Sequence, residues 1–362
     1  PVHVNWMFRE PFATNAEPVG EEGGFSAAFT RWTRSRTPWT TYFKPRTAPD
    51  PQAVRLVGEE LNAAKDGIIV VGKLSGPAAA RHVIRLAEKL QWPVFADITS
   101  GLRFASKSRV LISHFDQILA HIPARPEMIL HLGGRMTSKR YYQWIDQNRP
   151  AIYAMVLNHP LRNDPGHQVT HRVQSCPGAF AQKVAAIIPQ KKSAKLLRDF
   201  RLYDDKIRAF LTARFADQLE LSEPAVVSRL SRLIPKTNAL FLANSLPIRE
   251  FDMFADHRAV RIPVSANRGA SGIDGIISSA AGFSQGLDKA VTLLIGDLAF
   301  LYDINALSML ARLNKPMITI VLNNDGGGIF EFLPVSSNAG VFEEFFAAPH
   351  GYRFEDSARQ FR

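Results

Sequence analysis

AVTLLIGDL, from Ala290 to Leu298, and MITIVLNNDGGG, from Met317 to Gly328, are the two stretches whose reading decides the fold. Each is an uninterrupted apolar run that ends abruptly in polar residues. That pattern fits a strand of a parallel sheet, buried on both faces, better than a strand with one wet face. Residues 299–322 separate Leu298 from Asn323 and carry helical periodicity, so the two strands read as neighbours joined by a crossover. Asp297 ends one strand and Asn323-Asn324 ends the next, which puts an acid and an amide at the carboxyl edge of one sheet. Open α/β sheets bind ligands at that edge. A carboxylate, an amide oxygen and a backbone carbonyl suit a small hard cation that keeps diphosphate oxygens in its shell.

The same alternation extends through most of the chain. GIIVVG (Gly67 to Gly72), PVFAD (Pro93 to Asp97), MILHLG (Met128 to Gly133) and AIYAMVL (Ala151 to Leu157) read as strands, with helices over 77–91 and 138–147. NALFLAN (Asn238 to Asn244) and AVRIPVS (Ala259 to Ser265) read as the first strands of a second unit, after a helical connector over 190–220 and a helix over 223–234. The expected fold is α/β, with two doubly wound parallel-sheet domains. Residues 1–48, with five prolines and three glycines and no periodicity, read as a strand end (PVHVN) plus a linker. Residues 49–190 form a central Rossmann-like domain, 191–221 a linker helix and 222–362 a diphosphate-binding domain that stops short of a complete sheet. The chain opens on Pro1 within a strand-like segment, so it reads as a piece of a longer polypeptide. Gly72 and Gly76 lack the spacing of a dinucleotide fingerprint, and the central domain is expected to be structural.

Composition narrows the class. The 362 residues carry 44 Lys and Arg against 33 Asp and Glu, a formal charge of +11, but the basic residues are scattered and no zinc-finger or RNA-binding signature accompanies them. A nucleic-acid partner is not expected. No apolar run reaches membrane-spanning length. Cys176 is the one cysteine, which excludes an internal disulfide and suits a reducing compartment.

Further residues at the sheet edge carry chemistry. NSLPIR ends a strand with Ser245 and Arg249, and SANRGASGIDG ends another with Arg268. Paired guanidiniums there suit carboxylate recognition. Ile273, Ile329, Phe330 and Leu333 form an apolar ridge beside the glycines Gly326, Gly327 and Gly328, whose backbone freedom lets them approach a diphosphate. In GGRMTSKR, Thr137 or Ser138 caps a helix whose first residues, Lys139 and Arg140, could face an anion.

Gly-Asp-x followed at this distance by Asn-Asn resembles the thiamine-diphosphate binding motif, with Leu298 where many of those enzymes carry glycine. NSLPIR, SANRGASGIDG, GDLAFLYDINAL and NNDGGGIFEFLP together resemble the MenD-type 2-succinyl-5-enolpyruvyl-6-hydroxy-3-cyclohexene-1-carboxylate synthases of menaquinone and phylloquinone biosynthesis. PVHVNWMFREP and FEEFFAAPHG fit that family too. The resemblance implies thiamine diphosphate with Mg²⁺ or Mn²⁺ as cofactors, and 2-oxoglutarate and isochorismate as substrates. Asp297, Asn324 and Gly326 would hold the metal, while Ile273, Leu298, Gly327, Ile329, Phe330 and Leu333 would join them around the cofactor. Ser245, Arg249 and Arg268 would serve catalysis and bind substrate carboxylates, helped by Lys139 and Arg140. It also implies a cytoplasmic enzyme (plastid in a photosynthetic eukaryote) that is a homo-oligomer at full length. The glutamate-bearing pyrimidine domain of that family is absent from these residues, so this piece by itself is expected to be silent. Another thiamine-diphosphate 2-oxoacid decarboxylase or ligase, or a non-catalytic cofactor-binding module, are the competing readings.

Overall fold

A computed structural model describes residues 24–35, 37–41, 43, 47–104, 106–216, 221–255 and 261–361. The PVHVN strand expected at the start lies outside these residues. The chain divides into two compact units, 1–46 and 47–362. Within the first, helix α1 (Gly24–Thr33) occupies part of what the sequence suggested was linker.

Six strands form a parallel sheet in the order β3-β2-β1-β4-β5-β6. They are β1 (Gly67–Val71), β2 (Val94–Ala96), β3 (Leu111–Ile112), β4 (Met128–Leu132), β5 (Ile152–Leu157) and β6 (His171–Gln174). Pairing is in register, for example Val71 with Leu132 and Leu132 with Val156. Helices α2 (Pro51–Ala63), α3 (Pro77–Leu90), α4 (Phe115–Leu119), α5 (Lys139–Gln147), α6 (Pro177–Ile187) and α7 (Lys195–Ala216) cover it. The amphipathic α3 shows why: Ala79, Ala80, Val83, Leu86, Ala87 and Leu90 recur at helical spacing and are all buried. The sequence reading does not find β3 or β6, because β3 is only Leu111–Ile112 and β6 reads His-Arg-Val-Gln.

The crevice between β1 and β4, where this strand order reverses, is closed. A Cβ on Gly72 would overlap the carbonyl oxygen of Gly134, and the Gly134 N–H donates to the Lys73 carbonyl at 3.2 Å. His131 secures that carbonyl, with Nε2–H donating to Gly134 O at 2.8 Å while Nδ1 accepts from the Tyr153 hydroxyl at 2.9 Å. Complete burial pushes the His131 imidazole down to about 4, so it is neutral at physiological pH.

The second sheet is also parallel, in the order β10-β9-β7-β8, from β7 (Ala239–Leu242), β8 (Val264–Ala266), β9 (Val291–Gly296) and β10 (Met317–Leu322). Helices α8 (Glu223–Leu233), α9 (Leu246–Phe254) and α10 (Ile276–Leu287) flank it, and α11 (Asp297–Tyr302) follows β9 without a loop. Two expectations need correction. Of the strand read over AVRIPVS, Ala259 and Val260 lie outside the described residues, and β8 covers Val264–Ala266, Pro263 before it having no N–H to give the ladder. β10 is not buried on both faces: it is the edge strand, half-buried, with Ile318 53% exposed. Ile98 and Phe104, from the loop after β2, pack with Ile248 and Phe251 of α9 in one apolar cluster, so that loop joins the core beside the four-stranded sheet.

Gly72→Ala should cost several kcal/mol of unfolding free energy in urea titration, since neither backbone can withdraw. A loss under ~1 kcal/mol would show that the crevice can open. Lowering pH has a defined sign at His131. Its folded pKa lies below the unfolded value, so its contribution is complete above pH 6.5 and is lost as pH falls toward 4, by at most ~1.4 kcal/mol per pH unit. His131→Asn should flatten stability between those values.

Candidate cofactor and metal site

β7 leads toward β8 on one side while β9 lies on its other side, so the four-stranded sheet reverses its order between β7 and β9. A cavity of ~120 Å³ opens at that point. Its walls come from the ends of three strands: Asn244 to Pro247 after β7, Gly296 to Ala299 after β9, and Leu322, Asn324 and Gly326 to Phe330 after β10, with Glu223 and Ile273 closing it. Of the residues singled out from sequence, Ser245, Ile273, Asp297, Leu298, Asn324, Gly326, Gly327, Ile329 and Phe330 line this one space.

Asp297 is its charged centre. The residue is 2% exposed, and such burial of a carboxylate requires donors. Oδ1 accepts the Leu298 N–H at 2.7 Å, and Oδ2 accepts the Gly326 N–H at 2.9 Å. His350 supplies a third: its Nδ1 accepts the Tyr352 N–H at 2.9 Å, which leaves the hydrogen on Nε2, 3.2 Å from Asp297 Oδ2. The α11 helix begins at Asp297 itself, so this acid stands in the first helical turn, where a negative charge is favoured.

The glycine run has a packing role of its own. Gly326 has φ 140°, a conformation that side chains avoid, and a Cβ there would overlap the Ala347 carbonyl oxygen. A Cβ on Gly327 would overlap that of Phe346, and the Gly327 N–H donates to Ala347 O at 2.7 Å. The glycines therefore admit the chain's own 346–348 segment on that side. Asp325, also at positive φ, is held below the usual carboxylate range by the N–H groups of Gly351 and His350.

The arginines flank the cavity instead of lining it. Arg249 donates to the Ser245 carbonyl, and Arg268 reaches the Asn244 Oδ1 at 3.5 Å. Burial, then the charge of Arg268, lowers the Arg249 pKa. Among the described residues neither makes an ion pair, so two guanidiniums stand together without a counter-charge. Lys139 and Arg140 lie on the other sheet's α5, outside the cavity, and Arg140 is paired with Asp116 at 3.3 Å. Ser138 caps that helix by accepting the Tyr141 N–H. Leu333 also stands outside, 37% exposed, because the chain turns away after Phe332.

Sequence reading missed Glu223, Glu250 and His350. An acid in the first turn of a helix is ordinary, and nothing in FEEFFAAPHG marks the histidine as a partner of Asp297.

The donors fit a hard divalent cation: a carboxylate, an amide oxygen and a backbone carbonyl around one space. No group of three or more His, Cys, Asp or Glu side chains placed to hold a metal occurs among the described residues, so a nitrogen- or sulfur-rich metal centre is not indicated. The volume suits a cation with a few water-sized ligands, and falls short of the ~300 Å³ at which pockets for whole organic ligands begin.

This fold and site define a cofactor-binding α/β enzyme class, and two family descriptions match: "Middle domain of thiamine pyrophosphate" over residues 24–242 and "Thiamine pyrophosphate enzyme, C-terminal TPP binding domain" over residues 264–354. The chain belongs to the thiamine pyrophosphate enzyme family. It is 40% identical to the 2-succinyl-5-enolpyruvyl-6-hydroxy-3-cyclohexene-1-carboxylate synthase of Rubrobacter xylanophilus, and that alignment takes in 100% of this chain and 62% of the relative. Identity is 38% with the synthase of the same name from Chlorobaculum parvum, over 100% of this chain and 61% of that protein. The chain thus spans less than two thirds of the length of these curated relatives. Benzoylformate decarboxylase from Polynucleobacter necessarius shares the fold, with a TM-score of 0.62 at 15% identity, covering 90% of this chain and 61% of that one.

Ser245 is strained, with φ 70° and ψ −137° in a residue that has a Cβ. Ser245→Gly should therefore raise unfolding free energy by ~1 kcal/mol. Chemical denaturation showing a loss instead would mean that the hydroxyl, and not the turn, sets the energy there.

Proposed function

We propose that the chain is the central and diphosphate-binding part of a thiamine-diphosphate- and Mg²⁺-dependent 2-succinyl-5-enolpyruvyl-6-hydroxy-3-cyclohexene-1-carboxylate synthase. That enzyme decarboxylates 2-oxoglutarate and adds the remaining succinyl unit to isochorismate. One observation carries the reading: Asp297, Asn324 and Gly326 line a single cavity at a sheet's reversal point, in a chain 40% identical to a synthase of that name.

In this reading Asp297 and Asn324 offer side-chain oxygens to Mg²⁺, for which Mn²⁺ can substitute, and Gly326 offers its carbonyl. Thiamine diphosphate, when bound, supplies the nucleophilic carbon and the electron sink. Ile273, Leu298, Ile329 and Phe330 wall off water on its apolar side, which favours loss of a carboxylate as CO₂. Arg249 and Arg268 receive substrate carboxylates. Their mutual repulsion is relieved when an anion comes between them, so dicarboxylic substrates suit the pair better than neutral acceptors do. Ser245, at the foot of Arg249, orients the substrate from the same turn. Lys139, whose helix neighbour Arg140 is already paired, is the freer of those two to meet isochorismate.

A cavity of ~120 Å³ cannot take up the whole cofactor, so the reading requires that more of the pocket come from outside residues 47–362. A homo-oligomeric parent protein, with sites shared between copies, satisfies this. A cytoplasmic location, where Cys176 stays a thiol, belongs to the same proposal.

Calorimetric titration tests the cofactor. Thiamine diphosphate should bind the chain only with Mg²⁺ or Mn²⁺ present, and Asp297→Ala should abolish that binding. Metal-independent binding, or an unchanged Asp297→Ala titration, would falsify the assignment. With both substrates added the 362 residues should show no turnover, and product formation would mean that the site needs nothing further.

A further inference from the structure

Glu223 is the first residue of α8, and its Oε1 accepts the side-chain amide Nδ2 of Asn324 at 2.9 Å. The two are 101 residues apart in sequence and both line the cavity at the reversal point. A carboxylate only accepts hydrogen bonds, so this contact fixes which end of the Asn324 amide is which. With Nδ2 committed to Glu223, Oδ1 must point the other way. The amide then presents an oxygen to the cavity, as a hard cation requires, and not an NH₂ group that would repel it.

Glu223 has its own support. Glu250 of α9 is buried beside it, and burial, then the nearby Glu223 carboxyl, pushes the Glu250 pKa up to about 8. Glu250 is therefore protonated at neutral pH. Two facing carboxyl groups hold together only by sharing such a proton. Glu223 Oε1 meets the Asn324 amide at the first turn of α8, whereas Glu250 Oε2 has no hydrogen-bond partner. A chain of three side chains thus runs from α9 through α8 to the loop after β10.

We propose that Glu223 is a positioning residue of the cation site: backed by Glu250, it turns the Asn324 amide so that its oxygen faces the metal. The inference rests on the cation reading given above and adds a residue to which no role has been assigned. It also accounts for an acid that does not itself join Asp297 around the cavity's donors. A carboxylate acting through an amide orients the ligand without adding a further charged ligand to the ion.

Mn²⁺ titration followed by electron paramagnetic resonance, with thiamine diphosphate in excess, decides the matter on the 362-residue chain. Glu223→Ala should weaken Mn²⁺ binding ~10- to 100-fold, the usual effect of removing a support behind a metal ligand. Glu223→Gln keeps a carbonyl that can accept the Asn324 amide and should bind nearly as well as the parent chain. In the ligand-free protein, the Asn324 side-chain NH₂ resonances should move in Glu223→Ala and stay close to their parent positions in Glu223→Gln. Equal Mn²⁺ affinity in Glu223→Ala overturns the inference while leaving the cofactor reading intact. A Glu223→Gln variant as weak as Glu223→Ala overturns it too, since charge and not orientation would then be responsible. Failure of the parent chain to bind Mn²⁺ with the cofactor removes the cation reading, and this inference with it. Far-ultraviolet circular dichroism and thermal melts, matched between variants and parent, separate a lost fold from a lost contact.

Discussion

The hydrogen bond from the Gly326 N–H to Asp297 Oδ2, 2.9 Å long, ties the end of β9 to the loop that follows β10. The site depends on it because Asp297 is buried. A carboxylate removed from water costs several kcal/mol unless donors replace the solvent, so the chain must bring N–H groups to that place or lose the fold there. Leu298 supplies one from the helix that Asp297 begins. The other two, from Gly326 and His350, must be delivered by distant segments. The glycine loop can reach Asp297 while packed under residues 346–348 only because Gly326 and Gly327 lack Cβ atoms. Burial of one acid thus dictates the conformation of the loop, and the loop in turn places Asn324.

The two parallel sheets obey one topological rule with opposite outcomes. Each reverses its strand order at one point, where a crevice should form. In the six-stranded sheet Gly72 and Gly133 let backbone meet backbone, and neutral His131 locks the junction. In the four-stranded sheet the glycines sit one strand further out, and the crevice between β7 and β9 stays open. A glycine-rich turn after a strand is therefore not by itself a cradle for phosphate. What matters is whether the space freed by the missing side chain is taken by the protein's own backbone.

Much of this was legible in the sequence where burial is complete. GIIVVG, MILHLG and AVTLLI announced β1, β4 and β9 because strands inside a parallel sheet must be apolar on both faces, and MITIVL carries the same pattern although β10 is a half-buried edge strand. Asp297 and Asn324 were legible for the same reason, as polar residues that end such runs. β6, reading His-Arg-Val-Gln, was not, because an edge strand needs no apolar pattern. In AVRIPVS only the end after Pro263 is strand among the described residues. Glu223 and His350 were invisible in principle. Their importance comes from contacts 101 and 53 residues away in sequence, and local pattern does not encode such pairings.

Helix α9 explains how a sheet with a closed crevice still bears on the site. At 3.6 residues per turn, successive side chains diverge by ~100°, so neighbours on α9 serve different directions. Arg249 joins Arg268 beside the cavity, and Glu250 turns to Glu223 and through it to Asn324. Asp252 faces the six-stranded sheet, where it accepts the Ile98 N–H at 2.8 Å and lies 3.7 Å from Arg103. Burial, reinforced by the charge of Asp97, raises the Asp252 pKa well above the usual carboxylate range. Gln117, from α4, donates to the Met253 carbonyl at 2.9 Å and pins the helix's last turn. Strained Ser245 stands at the other end of α9, and strain of that kind survives only where the surroundings over-determine it. For α9 they include Ile98 and Gln117, from the loop and helix beside the six-stranded sheet. Their contribution is to hold α9 in one place, so that the guanidinium and the carboxyl leave the helix in fixed directions.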